Sequence, residues 1–122
     1  MIIGIGTDII EIERVARAVE REHFRNKVFT KTEQDYCESH GRQAAASYAA
    51  RFAAKEAFFK AIGTGIVTDL TNVEVVNDES GQPQIFLNGK AEEIAKNLQV
   101  EKIFLSLSHS QKFATAFCVV EK

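Results

Sequence analysis

The chain has 122 residues, 45% of them hydrophobic and 26% charged, with a formal net charge of −2. That length supports one domain, residues 1–122, with its own core. The charge gives no global reason to expect a nucleic-acid or anionic-membrane partner. Cys37 and Cys118 show no CxxC spacing and no histidine at ligand spacing, so a zinc site is not expected. Reduced thiols are the default, and a disulfide between them stays open. The N-terminal MIIGIGTDII is too short and too soon acidic for a signal peptide, and no apolar run is long enough to cross a bilayer. Both point to a cytoplasmic protein.

Ile2 to Ile10 is apolar and β-branched, with Gly4, Gly6, Thr7 and Asp8 inside it, which reads as a strand followed by a turn. Glycine within a strand marks close approach of another backbone or a ligand. Asp8 is out of place among apolar neighbours, although it is also a candidate N-cap for the next helix. Glu11 to about Lys27 reads as one helix, with Ile12, Val15, Ala16 and Val19 on one face. Arg14, Arg17, Arg21 and Arg25 lie opposite, interleaved with glutamates. Such a stripe is either a solvated face or a landing surface for an acidic partner. Thr30 followed by Glu33 is a capping-box pattern that opens a helix to about Ser39.

Arg42 to Ile62 is the longest run of helix formers, with nine alanines, and Gly63-Thr64-Gly65 follows it. On a helical wheel Gln43, Ser47, Arg51 and Lys55 form one polar edge. Glu56 and Lys60 lie nearly opposite, among Ala45, Ala49, Phe52 and Ala53. They are either an i,i+4 ion pair worth about 0.2–0.5 kcal/mol or a site, because charge on an apolar face needs a partner or a metal.

Past Gly65 the period changes. Asn72–Asn77 and Gln84–Leu87 form a hairpin around Asp78–Gln82, with Pro83 leading into its second strand. Lys90–Leu98 is a short amphipathic helix, and Lys102–Ser108 and Phe113–Val120 form a second hairpin around His109–Lys112. This order predicts a single-domain α+β fold, an antiparallel or mixed sheet wrapped on the Ala-rich helix.

Asp8, Glu56, Lys60 and His109 are the polar residues out of place. Two carboxylates from different elements can share a hard divalent cation such as Mg²⁺, which fills its shell with water and substrate phosphate. A nearby lysine suits a phosphate oxygen or a reacting hydroxyl.

Four segments carry a family resemblance. GIGTDIIEIERV at 4–15, RFAAKEAFFKAIGTGI at 51–66, Asn77…Gly81-Gln82-Pro83 with Leu87-Asn88-Gly89, and SLSHSQKFATAFCVV at 106–120 resemble the motifs of the holo-[acyl-carrier-protein] synthases, small 4′-phosphopantetheinyl transferases, in the same order. The second contains the K-E-A-x-x-K core as Lys55-Glu56-Ala57 and Lys60. The resemblance implies a 4′-phosphopantetheinyl transferase-like fold. It also implies transfer of the phosphopantetheine arm of coenzyme A to a serine of apo acyl carrier protein, with release of adenosine 3′,5′-bisphosphate. It assigns Mg²⁺ to Asp8 and Glu56, and the pyrophosphate or attacking oxygen to Lys60. CoA phosphates go to Arg51 and His109, backbone approach to the nucleotide to Gly63 and Gly65, and the adenine to the Gly81–Pro83 loop. It implies a homotrimer with CoA between subunits, and an acidic carrier protein docked on Arg14 and Arg21 with Arg17 and Arg25 assisting. A non-catalytic CoA-binding module and an oligomeric scaffold with a structural Glu56–Lys60 pair are the alternatives.

Overall fold

The computed structural model describes residues 1–122. The elements are β1 (Ile2–Glu11), α1 (Ile12–Ala18), α2 (Glu22–Val28), α3 (Lys31–Glu38), α4 (Ala44–Ile62), β2 (Val73–Asn77), β3 (Pro83–Leu87), α5 (Gly89–Asn97), β4 (Lys102–His109) and β5 (Phe113–Glu121). Short 3₁₀ turns precede α4 and β2. The strands form two sheets, β1-β5-β4 and β2-β3, and every pairing is antiparallel. The expected antiparallel or mixed sheet is thus two antiparallel sheets, both packed on α4. No helix is long and apolar enough to cross a membrane.

Twelve of the nineteen residues of α4 are buried, which makes it the axis of the fold rather than a surface helix. One core joins Ala53, Ala54, Ala57, Phe58, Phe59 and Ala61 to Val73, Val75, Ala91, Leu105, Ala116, Cys118 and Val120. A second joins Val15, Val28, Phe29 and Cys37 to Tyr48, Ala49, Ala50 and Ala114. The two cysteines are free, buried and in different cores. α4 ends on Gly63, left-handed at φ 78°, as its sequence requires.

Glycine in β1 does what its place in a strand implies. A Cβ at Gly6 would lie 2.0 Å from Ala57 O, and one at Gly4 would lie 1.8 Å from Ala61 O. The strand therefore touches the helix backbone to backbone. That contact is at Ala57 and Ala61. β1 continues to Glu11 without a turn at Thr7-Asp8, and Glu11, not Asp8, occupies the N-cap of α1.

The helix expected over 11–27 is broken. α1 stops at Ala18, and Arg21 is the N-cap of α2. The Arg25 guanidinium donates to Val19 O at 2.7 Å, satisfying a carbonyl that the break frees. The break brings Phe24 against Phe52 and Val28 into the second core, where a straight helix would carry them away. The four arginines therefore do not share one helical face.

The capping box at Thr30 and Glu33 forms as its spacing implies. Asp78 Oδ1 organises the β2–β3 turn by accepting from Ser80 N, Ser80 Oγ and Gln82 N; these bonds hold its carboxyl below the usual range. The chain ends meet: the Met1 amine donates to Lys122 O at 3.0 Å, and Lys122 N to Met1 O at 2.8 Å.

On β1 the even residues Gly4, Gly6, Asp8 and Ile10 face α4, and the odd ones face away. The outward face of the three-stranded sheet carries Ile5, Ile9, Phe104, Phe113 and Phe117, all exposed. The Gly6→Ala variant is expected to lose about 3 kcal/mol or more in urea unfolding, because the added Cβ meets backbone that cannot yield. A change under about 0.5 kcal/mol would contradict the described packing.

Candidate active site

The contact of β1 with α4 sets two carboxylates and a lysine together. Asp8 points from β1 toward α4, while Glu56 and Lys60 emerge one turn apart from α4. Lys60 Nζ lies 3.0 Å from Asp8 Oδ1 and donates to Thr7 O at 2.9 Å. The Asp8 side chain is only 9% exposed, whereas that of Lys60 is 55% exposed. Asp8 Oδ2 is buried with no hydrogen-bond partner.

Glu56 lies beside Asp8. Burial first, then the neighbouring Asp8 carboxylate, push the Glu56 carboxyl up from 4.5 to about 7. Lys60 and Arg14 pull the other way. Two carboxylates forced together, one with an orphaned buried oxygen, fit a hard cation. There is no cluster of three or more His, Cys, Asp and Glu. A two-carboxylate set suits Mg²⁺, which keeps most of its shell for water and phosphate. A cavity of about 300 Å³ opens beside Glu56, lined by Arg14, Ile9, Ile10, Phe52 and Phe113.

The structure places the other expected site residues elsewhere. Arg51 is 3% exposed. Its guanidinium donates to Ser47 Oγ and Asn77 Oδ1 and stacks 4.0 Å over the Tyr36 ring; its Nε is buried without a partner. Arg51 and His109 both line a cavity of about 360 Å³, with Tyr36, His40, Asn77 and Ser108. Asn77 Nδ2 donates to Gly81 O at 2.9 Å, so the Gly81–Pro83 loop is linked to that cavity through Asn77. Gly63 and Gly65, both at positive φ, follow the Lys60 end of α4.

His109 also lines a neighbouring cavity of about 510 Å³ with Arg42, Gln43, Ser110 and Gln111. Arg42 was not among the expected site residues. One signal was available: a cation just before a helix N-terminus opposes the helix dipole. From Glu56 to Ala45, on the wall of that cavity, is roughly 16 Å along α4 at 1.5 Å per residue. On one chain the carboxylate site and this second His109 cavity are thus separate, whereas the first reaches Arg51, nearer to Glu56 on the same helix.

The arginines also divide. Arg14, Arg17 and Arg21 are exposed. Arg17 lies 3.8 Å from Glu13, and Arg25 is occupied with Val19 O. Arg14 alone lines the cavity beside Glu56.

The wheel's polar edge runs from exposed Gln43 into the core. Lys55 is fully buried with Glu33, at 2.8 Å, and Arg51 is nearly so. Glu56 and Lys60, which the wheel placed on the apolar side, are half-buried and exposed.

Comparison with known proteins agrees with the motif order. Residues 4–118 match the model of the 4′-phosphopantetheinyl transferase superfamily. The holo-[acyl-carrier-protein] synthase of Fusobacterium nucleatum is 43% identical over 98% of this chain and 99% of its own. That of Ruminiclostridium cellulolyticum is 46% identical over 95% and 90%. Among solved structures, the synthase of Neisseria meningitidis superposes with a TM-score of 0.91 at 33% identity, covering 100% of both chains. The Bacillus anthracis synthase in complex with CoA (3′,5′-ADP) gives 0.81 at 35% identity, over 98% of this chain and 96% of that one. The family model, the relatives and the solved structures agree, and the chain belongs to the holo-[acyl-carrier-protein] synthase family of 4′-phosphopantetheinyl transferases.

Proposed function

We propose that this protein transfers the 4′-phosphopantetheine arm of coenzyme A to a serine hydroxyl of apo acyl carrier protein, with Asp8, Glu56 and Lys60 at the reacting centre. The observation that carries the assignment of the centre is the Asp8–Glu56 pair, with Asp8 Oδ2 buried and unpartnered. The serine oxygen forms a bond to the pantetheine-bearing phosphorus. The bond from that phosphorus to the bridging oxygen breaks, and adenosine 3′,5′-bisphosphate leaves with the electron pair. Asp8 and Glu56 would hold Mg²⁺, which when bound neutralises pyrophosphate charge as the anhydride opens. Lys60 sets a second positive charge beside Asp8 for a phosphate oxygen. Glu56 takes the serine proton through a water in this reading.

Arg51 and His109 contact phosphates of the nucleotide, joined by Arg42 on the wall of the His109 cavity. Gly63 and Gly65 let backbone approach the ligand, and the Gly81–Pro83 loop lies by the adenine. The separation of the Arg42–His109 cavity from Glu56 on one chain supports a CoA site shared between subunits of a homotrimer. The exposed apolar face of the three-stranded sheet is the surface such an assembly would cover. The acidic carrier protein docks on Arg14, Arg17 and Arg21, with Arg25 contributing least because it already caps α1. The compartment is the cytoplasm.

Incubation with apo carrier protein, CoA and Mg²⁺ should raise the carrier mass by one phosphopantetheine. Asp8→Ala and Glu56→Ala should each slow this on the order of 100-fold with unchanged circular dichroism. No mass gain with the wild type across several carriers and metals overturns the assignment. Arg14→Glu and Arg21→Glu should each raise KM for the carrier about tenfold at low salt, with the gap closing as salt rises. An unchanged KM at low salt removes the docking surface. In light scattering the wild type should have trimer mass and Phe117→Asp a lower one; a monomeric wild type at micromolar concentration excludes the shared site.

A further inference from the structure

Of the Lys55-Glu56-Ala57…Lys60 motif, Glu56 and Lys60 reach the carboxylate site, and Lys55 does not. Its ammonium is fully buried and donates to Glu33 Oε1 at 2.8 Å, Leu70 O at 2.9 Å and Val73 O at 2.7 Å. Those are all the donors it has, so none is left for a substrate. Glu33, also fully buried, accepts from Thr30 N with Oε1 and from Val75 N with Oε2, at 2.9 and 2.8 Å.

Two of these bonds, to Val73 O and from Val75 N, fall on β2. Val73, Val75 and Asn77 share one face of β2, and each is tied to α4. Val73 is held by Lys55, Val75 by Lys55 through Glu33, and Asn77 by Arg51, one helical turn from Lys55. Asn77 then reaches Gly81 O in the hairpin loop. Two cations four residues apart thus peg the whole length of β2 to the helix that carries Glu56. A buried ion pair is no more stabilising than a well-packed apolar pair of the same volume. What it supplies is direction: bonds to two named carbonyls and one named amide fix where the strand lies along α4.

We infer that Lys55 and Glu33 are positioning residues, which set the β2–β3 hairpin and its Gly81–Pro83 loop at working distance from the nucleotide cavity. This rests on the reading that the loop lies by the nucleotide of CoA. Lys55 acts on the reaction through CoA affinity, without touching substrate.

The test is steady-state kinetics on the full-length protein with CoA and apo carrier protein. The Glu33→Gln/Lys55→Met variant removes both buried charges at nearly constant volume and keeps an amide oxygen for Val75 N. It should raise KM for CoA about tenfold, with KM for the carrier within about twofold of wild type. A merely structural role lowers the folded fraction. It would cut apparent kcat in proportion, leave both KM values unchanged, and overturn the proposal. If the double variant does not fold, Glu33→Gln alone is read by the same split, below its melting temperature. Gly81→Val, which strains the loop at φ 89°, separates the underlying reading. If it raises KM for CoA and the pair variant does not, the loop reading stands and the positioning role falls. If neither raises it, the loop reading falls and the positioning role with it.

Discussion

The contact between the backbones of β1 and α4 is the constraint on which the rest of the structure depends. Gly4 and Gly6 admit Ala61 O and Ala57 O into the space a side chain would take. Only at that distance does Asp8, two residues on, reach the level of Glu56 and Lys60. The same approach lets a ten-residue strand lie flat on a nineteen-residue helix, which holds the carboxylate pair on rigid elements rather than loops. Its cost is a carboxylate oxygen without a partner and a glutamate near neutrality. Strain of this electrostatic kind collects where chemistry is done.

Much of this was legible from residue order. The strand glycines, the capping box at Thr30, the left-handed stop at Gly63 and both hairpins follow from local chemistry, and local chemistry decided them. Asp8, Glu56 and Lys60 were legible for a related reason: each breaks the polarity of its surroundings. What failed did so where long-range packing outvotes local pattern. No residue between Val19 and Arg21 breaks a helix by itself. The break is worth forming because Phe24 and Val28 then reach α4, a gain that a window of 17 residues does not contain.

The wheel of α4 is incomplete in a more instructive way. It separates polar from apolar sides, but it says nothing of what covers either. Of the polar edge, Gln43 is exposed, but Lys55 and Arg51 are covered by α3 and β2, each of which brings its own polar partner. Glu33 is the hidden half. Its place in a capping box explains it fully from sequence, so nothing marks its second task of receiving Lys55. Buried charge is legible only when both members of the pair are known, and here they are 22 residues apart.

Alternation along β1 has a further consequence. Thr7 and Ile9 look outward onto the apolar face of the sheet, and Asp8 between them looks inward to Glu56. Surface and chemistry are thus written on alternate letters of one strand. Deleting a single residue before Asp8 would exchange the two sets at once, putting a carboxylate on the apolar face and isoleucine against Lys60. Point substitutions can change either side separately, but a frame change cannot. β1 is thus locked in length as firmly as it is locked to glycine at positions 4 and 6.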